Sequence, residues 1–298
     1  MKKITFSKGF TILKTAAKKW WKRDPFTQSE LIAYNAIFSL PGLLVVVLAI
    51  AGYFFGADAV SGKLHSEVAQ TMGADTADQV ENMVAFASKS KESIWATILG
   101  IGIIIFGATR VFVVFQKSLN TIWEVEDAPA KSGIWSYLRS RIFSFGLIVS
   151  ISFLLLTSLI ISSLLSAFSS WVAQNWSESL LVIFKVVNFV FSLGIIAVLF
   201  ALMFKFLPDA KVKWRTVWVG AFITSLLFTI GKSALALYFG KTDPGSGYGA
   251  AGSIILIMLW TTYSSMIVFF GAELTKVYSD FVHGRLDTST ADVNKVLK

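Results

Sequence analysis

Cysteine is absent from the 298 residues, which excludes disulfides, a thiolate nucleophile and Cys-based zinc or iron–sulfur sites. Histidine occurs only at His65 and His283, with no H-E-x-x-H spacing, so neither a metal centre nor a cofactor is expected. Charge is scarce as well. Charged residues make up 15% of the chain, where a soluble domain carries about a quarter. Acidic residues are the scarcer kind, 18 against 27 Lys and Arg, for a net charge of +9. In a soluble protein that excess would raise nucleic-acid binding; here membrane topology accounts for it, and no nucleic acid is expected as a partner. The first twenty residues hold no apolar stretch followed by a small-residue cleavage site, so no removable signal peptide is expected.

Long uncharged runs are abundant. Leu31–Ala57, Ile142–Ser177, Val186–Phe204 and Pro244–Ala272 carry no charged residue, and each approaches or exceeds the roughly 20 residues that cross a ~30 Å hydrocarbon core. The mean hydropathy is +0.67. The pattern predicts an all-α integral membrane protein with six transmembrane helices, at about 30–56, 93–116, 141–169, 179–206, 214–240 and 249–277. These spans form a membrane domain over 25–280, preceded by a helix over 1–24 and followed by a polar tail, 281–298. The last span and the Pro41-bearing first span have no partners of matching pattern, which argues against an inverted-repeat transporter.

The first 23 residues hold eight Lys and Arg, while Phe6, Phe10, Leu13, Ala17 and Trp20 recur at helical spacing. This predicts a basic amphipathic helix lying along an anionic bilayer surface. Residues 57–92 are polar and mostly acidic, yet Leu64, Val68 and Met72, then Val80, Met83, Val84 and Ala87, repeat at three or four residues. They predict one or two helices outside the bilayer. With the N-terminus placed inside, 21 Lys and Arg fall on the inner side against four outside, Lys63, Lys89, Lys91 and Lys241. The bias puts both termini in the cytoplasm. Trp20, Trp21, Trp123, Trp135, Trp214 and Trp218 fall at inner span ends and Trp95, Trp171 and Trp176 at outer ends, as an aromatic belt requires.

Two motifs carry no chemistry. Gly247–Gly252 matches G-x-G-x-x-G but opens a transmembrane helix rather than following a strand. Gly231-Lys232-Ser233 and Gly240-Lys241-Thr242 resemble the end of a phosphate loop, yet the required glycine is replaced by Leu226 and Leu235. Nothing signals ATP-driven work. Gly220 with Thr224, and Gly249 with Gly252 and Ser253, suit close helix packing; Gly249 or Gly252 is alternatively a hinge. Pro41-Gly42 predicts a kink in the first span, with neighbours satisfying the freed carbonyl.

Ionisable residues inside apolar spans are costly and point to function. Arg110 and Glu273 lie at depths that permit a pair, either a static ion pair or an anion site in which Glu273 orients Arg110. Tyr34, Asn35, Asn120 and Glu30 lie at similar depth and would complete that cluster. Lys185 and Lys232 fall in outer halves of their spans, either snorkelling to headgroups or forming an outer anion site with Tyr248 and Trp260.

The stretch Leu31-Ile-Ala-Tyr-Asn-Ala-Ile-Phe-Ser-Leu-Pro-Gly-Leu-Leu44 resembles the first-span signature of the BrkB/YihY family of bacterial inner-membrane proteins. Ala108-Thr-Arg110 with Leu119-Asn120-Thr-Ile-Trp123, Leu207-Pro208-Asp209, and Tyr248-Gly249-Ala-Ala-Gly252 through Phe270-Gly271-Ala272-Glu273-Leu274 are similar to its later motifs. The resemblance covers about residues 25–280. It departs at Pro41-Gly42, where many relatives have Phe-Pro. It implies six spans and cytoplasmic termini. It also brings a ribonuclease label, a serum-resistance virulence label and a link to envelope lipid export. The cytoplasmic segments lack a carboxylate cluster or histidine pair able to hold catalytic metals, and no Ser/His/Asp constellation exists, so an enzyme is not expected.

The reading that follows is a protein of the bacterial inner membrane, without its own ATPase, that moves or presents an anionic, phospholipid-like lipid for the envelope. Membrane lipids and an envelope lipid-transport protein are the expected partners, the latter docking on the loop 57–92, and a homo-oligomer is compatible. A small-solute or ion transporter and a non-transporting scaffold are the alternatives.

Overall fold

The computed structural model describes residues 6–88, 110–125 and 178–283. Among them there is no β-strand. Helix α1 runs Phe6–Lys22 and α2 Pro25–Phe55. The break between them is written locally. Asp24 takes a left-handed backbone, its carboxylate accepts from the Thr27 amide at 3.4 Å and the Thr27 hydroxyl at 2.7 Å, and Pro25 opens the next helix. Proline costs nothing in the first turn, where its missing N–H has no intrahelical partner. Further along, α2 passes through Pro41 as one continuous helix of 31 residues.

Gly56 and Gly73 carry φ of +88° and +94°, a region that residues with a Cβ avoid. Each reverses the chain. The first sends α2 into α3, Ala57–Met72, and the second sends α3 into α4, Ala74–Ser88. Of the one or two helices expected outside the bilayer over 57–92, two are present as far as Ser88, and they double back on α2. Leu64, Val68, Met72 and Val84 join Ile37 and Leu40 in one apolar cluster around Leu44, Val80 and Ile257.

A helical segment over 110–122, α5, ends in a turn at Trp123 and Glu124. Then come α6, Glu178–Phe206, α7, Trp214–Thr242, a 3-10 turn over Ser246–Ala251, and α8, Gly252–Val282. Among the described residues, four helices are long and apolar enough to cross a membrane: Pro25–Leu48, Val186–Phe206, Trp214–Thr242 and Gly252–Val282. The expected span at 141–169, and that at 93–116 apart from its last turns, lie outside the described residues, as does the tail beyond His283. On α7, Trp218, Phe222, Leu226, Ile230 and Leu237 form an exposed apolar stripe. Such a stripe is stable against acyl chains rather than water.

The core lies between α2, α5, α6, α7 and α8, where Ile32, Leu119, Phe204, Val217 and Phe269 are almost fully buried. Helix α1 is packed on the molecule as well. Ile12 and Ala16 sit against Leu274, Val277, Tyr278 and Phe281 of α8, while Phe10, Leu13 and Trp21 stay exposed. The face chosen for packing is thus Ile12, Thr15 and Ala16 rather than the Phe10–Leu13 stripe, which remains free for the bilayer surface.

Candidate functional site

Three polar clusters organise the ends and the middle of the helix assembly. The first is centred on Arg23, at the break between α1 and α2. Its guanidinium donates to the Thr121 carbonyl at 2.7 Å and to Glu124 Oε1 at 2.9 Å, and its Nε lies 3.2 Å from Glu273 Oε2. Glu273 is completely buried on α8, and neither of its oxygens is engaged in a hydrogen bond. Arg23 is therefore its electrostatic counterpart, and a buried carboxylate needs one. Lys276 continues the network, 2.9 Å from Asp280 and 3.6 Å from Glu124. Burial pushes the Glu124 carboxyl up, but Lys276, Lys19 and Arg23 outweigh it and hold it below the usual range. A small cleft beside this network is lined by Trp20, Arg23, Gln28, Phe269 and Glu273.

The second cluster couples α5 to α2. Asn35 is buried, and its Nδ2 donates to the Leu31 carbonyl one turn back at 2.7 Å. That bond fixes the amide so that Oδ1 faces Arg110, whose Nε donates to it at 2.8 Å. An amide oxygen orients a guanidinium without neutralising it. Among the described residues no carboxylate pairs with Arg110, which is exposed. Tyr34 and Phe38, both exposed on α2, stack edge to face beside it in the chain. A guanidinium held only through Nε among the described residues suits a phosphate or carboxylate fork.

The third cluster ties α3 to α7. Lys232 of α7 meets Glu67 of α3 at 3.2 Å, and Lys63 reaches the other oxygen of Glu67 at 3.3 Å. Burial raises the Glu67 carboxyl, yet Lys232 and then Lys63 bring it below the ordinary range.

Arg110 and Glu273, expected within reach of one another, thus belong to different clusters. Asn35 is brought to Arg110. Asn120 is engaged elsewhere: it exchanges two 2.8 Å hydrogen bonds with Asp209, one to the carboxylate and one from the backbone amide. Lys232 forms an ion pair with Glu67 of α3. Trp260 packs edge-on to Phe228, and Tyr248 lies exposed in the 3-10 turn. Glu30 is exposed on α2. The side chain of Lys185 lies outside the described residues. Gly249 interrupts helical geometry at φ +54°, and Gly252 packs against the backbone of Gly245. Among the described residues no three His, Asp or Glu converge as metal ligands would.

Sequence reasoning missed Arg23 and Glu67. Arg23 was counted only as topology charge, although a cation immediately before Asp-Pro sits at a helix junction, where a bond to another helix end is available. The pairing of Glu67 with Lys232 had no local signal, because the two are 165 residues apart.

Comparison with known proteins agrees with the residues quoted above. The family model described as Virulence factor BrkB matches residues 16–293. A UPF0761 membrane protein of Pseudoalteromonas atlantica is 28% identical over 268 residues, covering 88% of this chain and 84% of that protein. One from Haemophilus influenzae is 27% identical over 279 residues, 90% of this chain and 96% of the relative. One from Verminephrobacter eiseniae is longer: the match, 25% identical, covers 85% of this chain but 58% of the relative. No solved structure matches the chain. With the match running over nearly the whole chain and its apolar helices in place, this protein is a membrane protein of the BrkB family.

Proposed function

We propose that this protein moves or presents an anionic, phospholipid-like lipid in the bacterial inner membrane, with both termini in the cytoplasm and no ATPase of its own. One observation carries the reading: the Arg110 guanidinium is oriented by a neutral amide and keeps its charge inside the membrane domain. Asn35 lies ten residues into α2 and five residues inside the span expected at 30–56, about 7 Å along its axis. A cation inside the span that no carboxylate among the described residues answers is expensive unless an anionic group neutralises it in part of the working cycle. The exposed rings of Tyr34 and Phe38, on either side of Asn35 in the sequence, offer acyl chains a surface on α2. The 21-to-4 distribution of Lys and Arg supports the orientation. A lipid presented on the outer side needs an envelope protein to receive it.

The Arg23–Glu124–Lys276–Asp280 network supports a structural role for Glu273, because its charges answer one another. The lipid site in this reading is Arg110 alone.

The test is scrambling of a fluorescent phospholipid in proteoliposomes. Arg110→Ala should slow it by roughly 10- to 100-fold, the value of charge-assisted hydrogen bonds of ~1.5–3 kcal/mol, while Arg110→Lys keeps part of it. Folded protein that scrambles no lipid but leaks small anions through Arg110 would transfer the reading to a solute transporter. Folded protein that does neither would favour a scaffold.

A further inference from the structure

The hairpin α3–α4 is polar, bearing Asp58, Lys63, His65, Glu67, Asp75, Asp78 and Glu81, yet it is laid against apolar spans. Its depth follows from counting. From the reversal at Gly56, Met72 is sixteen residues forward and Leu40 sixteen residues back, so the tip of the hairpin returns to the level of Leu40. Leu40 is the midpoint of α2, Pro25–Phe55, which is about 45 Å long. Wherever a ~30 Å core sits along α2, Leu40 is inside it by at least ~7 Å. The same count on α7 puts Lys232, ten residues before Thr242, inside the core as well, and Lys232 is bonded to Glu67 of the hairpin.

The polar groups at this depth are open. The side chains of Lys63, Glu67 and Lys232 are 40%, 46% and 43% accessible, that of Asp78 66%, and Gly73, Ala74 and Asp75 at the tip are exposed. Acyl chains cannot surround them. Ionised side chains and the non-helical backbone of Gly73 are tolerated at membrane depth only in protein or against a water-filled cavity.

We infer that the α3–α4 hairpin is re-entrant and lines an aqueous vestibule that opens to the outer side. The floor of the vestibule is the hairpin tip, level with Leu40 and next in its cluster to Ile37, two residues along α2 from Asn35. Outer-side water thereby comes within five residues of α2, about 7 Å, of the level at which Asn35 holds Arg110, shortening the route of a hydrophilic anion such as a headgroup phosphate to that guanidinium. The vestibule stands on the hairpin geometry alone; only its use as an anion route rests on the lipid reading above.

The absence of native cysteine makes the experiment direct. Gln70→Cys and Ala74→Cys, both at exposed hairpin positions, are compared in full-length protein in oriented proteoliposomes with Phe38→Cys and Ile230→Cys, which are exposed on apolar helix faces. A charged, membrane-impermeant maleimide applied from the outer side should label the hairpin pair at least roughly tenfold faster than the apolar pair, since a charged reagent is excluded from acyl chains. In parallel, Leu40→Cys with Met72→Cys should form a disulfide on mild oxidation. Equal slow labelling at all four positions, or labelling of the hairpin from the inner side only, would overturn the vestibule. So would rapid labelling without the Leu40–Met72 disulfide, which would place the hairpin outside the bilayer. Neither readout involves lipid movement, so the vestibule can fail or stand independently of the lipid reading.

Discussion

Gly220 of α7 and Thr275 of α8 occupy each other's space: a Cβ placed on Gly220 would lie 1.7 Å from Thr275 Oγ1. One turn away the relationship is reversed, with a Cβ on Gly271 of α8 lying 1.9 Å from Thr224 Oγ1 of α7. Both threonine hydroxyls donate at 2.7 Å to the carbonyl of the glycine four residues earlier on their own helix. Two Gly-x-x-x-Thr segments thus interlock antiparallel, and the close approach they permit supplies the van der Waals contact that holds helices together in lipid.

Gly220→Ala should destabilise the helix pair by about 1–3 kcal/mol, the usual cost of overpacking. A lowered midpoint in detergent, followed by thermal aggregation and size-exclusion chromatography, checks it. Gly220→Ala with Thr275→Gly should recover much of the loss; a double variant no better than the single would refute the interlock.

Arg23→Gln leaves Glu273 buried without its cation and should cost about 3–5 kcal/mol. Adding Glu273→Gln removes the stranded charge, so the double variant should be more stable than Arg23→Gln alone. A double-mutant cycle of unfolding midpoints measures the coupling; additive effects would show that the two groups act separately.

Asn35→Asp places a carboxylate where the amide oxygen now meets Arg110 at 2.8 Å. Folding should be retained, because an ion pair is less costly in the membrane than a lone cation. Lipid scrambling should fall by roughly tenfold, since the new carboxylate competes for the guanidinium. Unchanged scrambling would remove Arg110 from the lipid path.

Acid should loosen the re-entrant hairpin. The Glu67 carboxyl lies below its ordinary value of 4.5 because Lys232 and Lys63 outweigh burial. A depressed carboxylate stabilises the folded state above its unfolded pKa, and that contribution disappears as pH falls through the folded value. Docking against α7 should therefore be constant at neutral pH and weaken below about pH 4.5. Limited proteolysis at Gly73 across pH follows this, and Glu67→Gln should already be loosened at neutral pH, with no Glu67-dependent loosening on acidification.

Much of the architecture was legible because hydrocarbon imposes a length and composition on every helix that crosses it. Leu31–Ala57 and Pro244–Ala272 were legible as spans from their uncharged length. Asn35 and Arg110 were legible as intramembrane polar residues, since those stand out against apolar neighbours. Their pairing was not. Depth along a helix can be counted, but the side toward which a residue points, and which neighbour stands there, depends on how the helices are arranged around one another.

What the sequence alone determined is therefore which segments are apolar enough to lie in lipid and which charges are costly there. Only the tertiary structure decided the partners. Glu273 takes Arg23, Arg110 takes Asn35, Asn120 takes Asp209 and Lys232 takes Glu67. It also decided that the acidic α3–α4 hairpin folds back along α2 instead of projecting away. The physical reason is common to all five. Burial and ion pairing reward contacts between groups far apart in the chain, and no local pattern of residues encodes which distant helix closes on which.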